Sequence, residues 1–276
     1  MSERNKRMPA AVSMLKKSYQ NRAMIVKLAK NDFRTKYAGS YLGILWSFVQ
    51  PITTILLYWF VFQVGFRTPS VGSYPFVLWL TAGLVPWFFF SDAWSGATTS
   101  LLEYDFLVKK VVFDIEIIPS IKVISAFFVN LFFTLFMIIL FVCSGIYPTL
   151  HIVQLLYYLL CAFVLAWGLS LFTSSVVVFV RDLRHFMSVV LQVLMWLTPI
   201  MWNISMIEED YPWLVTVMKI NPVFYIVQGY RDAMFREGWF WEEPIWTAYF
   251  WGLILVLFLI GSKVFQSLRP HFVDVL

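Results

Sequence analysis

Six long apolar runs, at about 42–66, 74–99, 123–145, 152–180, 186–201 and 245–265, constrain this chain more than any other feature. Runs of this kind suit helices crossing the hydrocarbon core of a bilayer, which is about 30 Å thick and takes about 20 residues. A helix also satisfies every backbone N–H and C=O within its own segment, as lipid requires. Hydrophobic residues make up 60% of the 276 and charged ones only 13%, and a soluble domain of that size has no interior large enough to bury them. The sequence therefore predicts an all-α polytopic membrane protein. Residues 1–41 form a cytoplasmic tail and interfacial helix, and 42–276 a domain of six transmembrane helices.

Charge orients the runs. Ten Lys/Arg precede residue 42, and Lys109, Lys110, Lys122, Arg181, Arg184, Lys263 and Arg269 fall on the same side as the N-terminus. Arg67, Lys219, Arg231 and Arg236 are left for the other side. The positive-inside rule then places both termini in the cytoplasm. Those ten cations ahead of the first apolar run are not the pattern of a cleavable signal. The net charge of +5 concerns orientation and anionic headgroups, not nucleic acid. Cys143 and Cys161 lie inside runs and read as packing residues. His151, His185 and His271 are far apart in sequence, so no metal site is expected. Asn203-Ile204-Ser205 matches a glycosylation sequon and reads as a chance match.

Ahead of the first run, Val26, Ala29, Phe33 and Tyr37 recur at helical spacing, while Lys27, Lys30, Arg34 and Lys36 fall largely elsewhere on the wheel. Such a helix lies at the headgroup boundary with its cations toward anionic lipid, and Ala38, Gly39 and Ser40 form a hinge behind it. Two connections are too long for turns. The first, 103–119, mixes charged and apolar residues: Glu103, Asp105, Phe106, Lys109, Lys110, Phe113, Asp114 and Glu116. It reads as a cytoplasmic helix, lying on the bilayer or docking into a cytosolic partner. The second, 202–244, is external, with seven acidic residues against three basic ones and Trp213, Trp239 and Trp241. Two short helices are expected there, near 208–219 and 222–236. Asn221 caps the second and Pro222 opens it. Phe224 and Tyr225 should sit at the membrane interface, with Arg231 and Asp232 at the wet end.

Polar residues inside the runs form two stripes. Ser47, Gln50, Thr54 and Tyr58, beside Trp46, line the first run; Ser188, Gln192 and Trp196, followed by Pro199 and Asn203, line the fifth. Each stripe reads either as interhelical hydrogen bonding or as a wet, sugar-contacting surface. Asn130 and Thr134 read as packing contacts. Ionisable groups inside the runs are few, Asp92 being the main exception, which argues against ion-coupled transport. No Gly-Lys pair exists, so a Walker A loop is impossible and any ATP must be bound by another polypeptide.

Several of these segments carry a resemblance. Asp32-Phe33-Arg34-x-Lys36-Tyr37, then Ser40-x-Leu42-Gly43-x-x-Trp46 and Pro51, resembles the N-terminal motif of membrane subunits of ABC-2-type exporters, above all those of lipid-linked polysaccharide. Leu107-x-Lys109-Lys110 before the aromatic Phe113 is similar to the coupling segment of that family, although Asp114 and Ile115 stand where many relatives have Pro and a basic residue. Arg181-Asp182-Leu183-Arg184 and Asn221-Pro222-x-x-Tyr225…Tyr230-Arg231-Asp232 also match, and residues 268–276 resemble the endings of teichoic acid translocation permeases. The resemblance implies a homodimer paired with two cytosolic ABC ATPase subunits. ATP and Mg would be bound on the partner, with no cofactor and no catalytic residue on this chain. It implies docking of 103–119 on the ATPase and re-entrant helices, Tyr230 included, closing the extracellular mouth. The implied cargo is a lipid-linked anionic glycopolymer, a wall teichoic acid precursor, whose pyrophosphate Arg34 and Lys36 are placed to meet. The alternatives are export of O-antigen, capsular polysaccharide or a small drug. A membrane enzyme acting on lipid-linked sugars is disfavoured, because the outer acidic residues are joined by no histidine.

Overall fold

A computed structural model describes residues 9–36, 39–67, 74–109 and 113–276. Tyr37, Ala38 and Lys110 lie outside the described residues. The described elements are helical: α1 (Ala10–Gln20), α2 (Arg22–Thr35), α3 (Trp46–Trp59), α4 (Phe76–Glu103), α5 (Asp105–Val108), α6 (Ile118–Cys143), α7 (Gln154–Val177), α8 (Leu183–Leu197), α9 (Ser205–Glu208), α10 (Pro212–Ile220), α11 (Pro222–Phe235), α12 (Pro244–Leu268) and α13 (Phe272–Val275). A π-helical turn, Phe60–Gly65, prolongs α3, and a 3-10 turn, Ile115–Ile117, leads into α6.

Among the described residues, five stretches are long and apolar enough to cross a membrane: Gly43–Gly65, Phe76–Glu103, Ile115–Cys143, Leu150–Val177 and Pro244–Val275. The expected sixth, α8, is 15 residues long, about 22 Å at 1.5 Å per residue, and falls short of a full crossing. The break has a local cause. Proline disfavours helix in the residue before it and lacks an N–H, so Thr198, which precedes Pro199, turns extended.

α4 is the axis of the bundle. It packs on α6, α7 and α11, with α3 and α8 beside it, and α12 closes against α7. Close approaches are made by glycine: a Cβ at Gly261 of α12 would lie 2.9 Å from the Gly168 carbonyl of α7. Small residues at such crossings let backbones approach, which is how helices gain dispersion contact where lipid leaves no hydrophobic drive between them.

Both ends of the described chain meet at one end of the bundle. Gln266 donates to the Ala10 carbonyl at 3.2 Å, Lys17 to Glu116 at 2.7 Å and Asn21 to Asp114 at 3.0 Å. α9, α10, α11 and the start of α12 gather at the other end, where the Gln154 side chain donates to the Gly238 carbonyl and accepts from Phe240 N. The ends are called inner and outer below.

α2 is amphipathic, but its packed face is one step away from the expected stripe. Ile25, Ala29 and Asp32 are buried and Val26 is exposed. Ile25 and Ala29 pack on Ile117 and Ile121 at the start of α6, and Phe33 stands 6.0 Å from Phe128. Tertiary packing on α6 therefore decides which face is covered.

Candidate functional site

A cleft of about 320 Å³ opens between α3, α4 and α6. Ser47, Gln50 and Thr54 reach it from α3 because they recur every three to four residues on one face. Lys36 and Asp92 stand at its inner mouth, paired at 2.6 Å. Buried beside them, the Ser47 hydroxyl has no hydrogen-bond partner, and an unsatisfied polar group on a cleft wall marks where a polar guest or water would be held. Asn130, expected as a packing contact, also lines the cleft, with the Tyr230 hydroxyl of α11 beside it.

The second polar stripe does not join the first. Ser188, Gln192 and Trp196 face outward from α8, and only Leu191 of that helix lines the cleft. Trp46 is exposed and Tyr58 partly buried, neither lining the cleft, while Asn203 faces a different cavity at the outer end.

Below the cleft lies a net of ion pairs. Asp32, 6% exposed, receives Lys122 at 2.7 Å and the Tyr104 hydroxyl at 2.8 Å, and Lys122 also reaches Glu103 at 2.6 Å. Burial, with Asp32 alongside, raises the Tyr104 phenol above its usual value, so it stays a donor. These contacts tie α2 to α4 and α6. Arg34 is exposed on the same helix.

Over 103–119 the expectation of one exposed helix is corrected. α5 ends at Val108, and Phe113 and Asp114 are not helical. Asp105 and Lys109 pair with each other at 3.3 Å on the surface, beside Phe106, which is 53% exposed. Glu116, by contrast, is 1% exposed and clamped by Lys17 and Arg269. It cannot face a partner while so held, because a buried carboxylate without its cations is costly. Asp114 turns toward Lys17 and Asn21 in the same cluster.

At the outer end, α11 is not a loose cover. Asn221 caps it by accepting from Val223 N at 3.0 Å and donates to Thr198 at 2.8 Å, with Pro222 at the first turn. Gly229 leaves room for the Tyr158 ring, which a Cβ would strike, so the helix sinks against α7. Phe224 and Tyr230 are buried, and Tyr225 bonds Tyr157 at 3.0 Å and Thr247 at 2.9 Å. Arg231, expected at the wet end, is 3% exposed. Its guanidinium donates to the carbonyls of Pro199 and Ile200 at 2.8 and 3.0 Å and lies 3.4 Å over the Trp79 ring. Two carbonyls of the non-helical segment just past α8 are satisfied by this cation, and they and the Trp79 ring explain how a charge is accommodated there. Burial pulls its pKa down to about 9, Asp232 opposing. Asp232 is partly buried and accepts from Gln228 at 2.8 Å. Burial raises its pKa to about 7, helped by Glu237 and Glu243.

α10, α11 and residues 237–250 enclose a second, larger cavity of about 490 Å³. Among the described residues no group of three or more His, Cys, Asp or Glu is arranged to hold a metal ion.

Multiple apolar stretches, a cleft of mixed polar and apolar lining toward the inner end and a helical cover at the outer end fit a membrane transport subunit. The ABC-2 type transporter family profile matches residues 24–235, and the chain belongs to that family. It is a multi-pass protein of the bacterial cell membrane, and a subunit of this family carries no ATPase activity of its own. Among its relatives is the O-antigen export system permease protein RfbA of Myxococcus xanthus, 25% identical over 95% of this chain and 99% of the relative. Two permeases of the same name from Klebsiella pneumoniae are each 28% identical, over 92% of this chain and 95% of the relative.

Proposed function

We propose that this chain is the permease of an ATP-driven exporter of lipid-linked polysaccharide, working as a homodimer with two cytosolic ABC ATPase subunits. The observation that carries the reading is the cleft, where Lys36 at the mouth leads to Gln50, Thr54, Asn130 and the unpartnered Ser47 hydroxyl. A cation at headgroup depth followed by hydroxyl and amide groups suits a pyrophosphate with sugars behind it. A phosphate meeting Lys36 would take the place of the Asp92 carboxylate, one anion for another. The similarity to O-antigen permeases supports a cargo of that kind.

In this reading the inner end is cytoplasmic, in keeping with the ten cations before residue 42. Asp105, Phe106 and Lys109 form the surface offered to the ATPase, and Glu103 and Glu116 hold that surface to the rest of the fold. Polymer would pass between two protomers along the exposed α8 stripe of Ser188, Gln192 and Trp196, under the cover of α11.

The tail at 268–276, with its likeness to teichoic acid permeases, favours a second cargo, a wall teichoic acid precursor. Reconstitution with the partner ATPase in proteoliposomes separates the two. Lipid-linked O-polysaccharide should stimulate ATP hydrolysis and appear on the far side. Stimulation by lipid-linked teichoic acid alone would reverse the choice, and by neither would end the export reading.

A further inference from the structure

The outer cavity is more than the back of a gate. Its aromatic wall includes Trp246, edge-on to Tyr249 at 6.2 Å, while Trp239 is already stacked on both Trp241 and His151 at 4.5 Å and serves to hold the wall rather than to meet a guest. Glu208, Asp232, Glu237, Glu242 and Glu243 also line it, against two cations, Lys219 and Arg231. Both cations are engaged in the wall and are outnumbered by the carboxylates. Lys219 lies 5.7 Å over the Trp246 ring, and Arg231 gives its two terminal nitrogens to the carbonyls of Pro199 and Ile200. The Arg231 Nε is buried and has no partner, which leaves one donor at the cavity floor.

We propose that this cavity binds a neutral, hydroxyl-rich sugar unit of the exported glycan and rejects a phosphate-bearing one. The inference rests on the export reading above and adds a site outside the cleft. Carboxylates accept pairs of sugar hydroxyls as charge-assisted hydrogen bonds, the stronger kind. Indole and phenol rings present flat apolar faces to the C–H side of a pyranose, with a polar edge left for solvent. The volume of 490 Å³ lies in the range of about 300–1,000 Å³ typical of small-molecule sites. An excess of carboxylates in a walled cavity focuses a negative field, which concentrates neutral or cationic guests and repels phosphate. Its place beside α11 would let a sugar engage as it leaves the bundle, so the site would grip the leading end of the chain at the exit.

Binding is measured on the purified full-length permease in lipid nanodiscs, by calorimetry and tryptophan fluorescence, without ATPase. The probes are a neutral hexose tetrasaccharide and a glycerol-phosphate tetramer. The tetrasaccharide should bind at least about tenfold more tightly than the phosphate oligomer, a gap of about 1.4 kcal/mol. Trp246→Ala and Glu242→Gln should each weaken it about tenfold, while Trp246→Phe retains binding and shows that the ring is what counts. Unchanged affinity in Trp246→Ala and Glu242→Gln, or tighter binding of the phosphate oligomer, overturns the site. Polysaccharide transport by the reconstituted complex, without tetrasaccharide binding, would overturn the site and leave the export reading intact. Binding without transport of any polymer would support the site and overturn the export reading.

Discussion

Arg231 caps the broken end of α8 at Pro199: its Nη1 lies 2.8 Å from the Pro199 carbonyl, and Nη2 lies 3.0 Å from that of Ile200. Pro199 and Ile200 follow the end of α8 in non-helical backbone, and a cation from another helix takes up their carbonyls. Truncation to Arg231→Ala should strand these groups and cost roughly 2 kcal/mol or more. Arg231→Lys should rescue little, because a point-like ammonium cannot span two carbonyls and lie flat over Trp79 at once. Thermal unfolding in detergent reads both, and a lysine variant as stable as the native chain would refute the fork.

Asp232 gives the outer end a pH dependence. Its pKa of about 7 in the folded chain, raised first by burial, exceeds that of an unfolded aspartate, about 3.9. Between those values the folded chain holds a proton that the unfolded chain has lost, so stability falls as pH rises through the window and is lowest above about pH 7. Asp232→Asn keeps an oxygen for Gln228 and removes the titration. Its melting temperature should exceed the native one at about pH 8 and match it near pH 4. An unchanged pH slope in the variant would place the effect elsewhere.

Coupling should reside in Phe106 and its neighbours. Phe106→Ala should insert normally, retain the native melting temperature and separate ATP hydrolysis from transport in the reconstituted complex. Glu116→Gln should act differently: its two cations lose their anion, and the inner end loosens by roughly 3 kcal/mol. Parallel stability and transport measurements distinguish them, and full transport by Phe106→Ala would count against this docking surface.

Cysteines test the cleft. At Gln50 and Thr54 they should react with a water-soluble thiol reagent, and at Leu56 and Leu255, exposed apolar positions on α3 and α12, they should not. The background must carry Cys143→Ser, since Cys143 is exposed and free. Equal protection at all four positions would make the cleft dry.

Asn221 carries two jobs in one side chain, the cap on Val223 and the bridge to Thr198. Asn221→Ala should cost about 1 kcal/mol for the cap alone and more for the bridge. If α11 restrains the transport cycle, basal ATP hydrolysis rises in this variant. An unaltered basal rate would separate α11 from the cycle.

What the sequence shows and what it hides divide along contact range. Asn221 and Pro222 specify a helix start from two adjacent residues, and the start lies where that rule puts it. The apolar runs at 74–99 and 123–145 similarly need only their own composition to become α4 and α6. Arg231 reads as wet because, beside Asp232, it looks like one half of a solvated charged pair; the carbonyl partners that hold it in the interior are 32 and 31 residues away. Glu116 misleads for the same reason, with cations 99 and 153 residues distant. The stripe on α2 is off by one position because a period of 3.6 residues leaves two adjacent faces nearly equal, and only packing on Ile117 and Ile121 chooses between them. Asn130 belongs to a cleft that three helices make together, so one run viewed alone reads it as glue.

The Glu116 clamp has a consequence for how the protein is made. Lys17, Glu116 and Arg269 are added to the growing chain in that order, with 153 residues between the carboxylate and its last cation. At about 5–20 residues per second, roughly 8–30 s of synthesis separate them. Until Arg269 is made, Glu116 can meet only Lys17 of its two cations, so the clamp sets after α12 has been added.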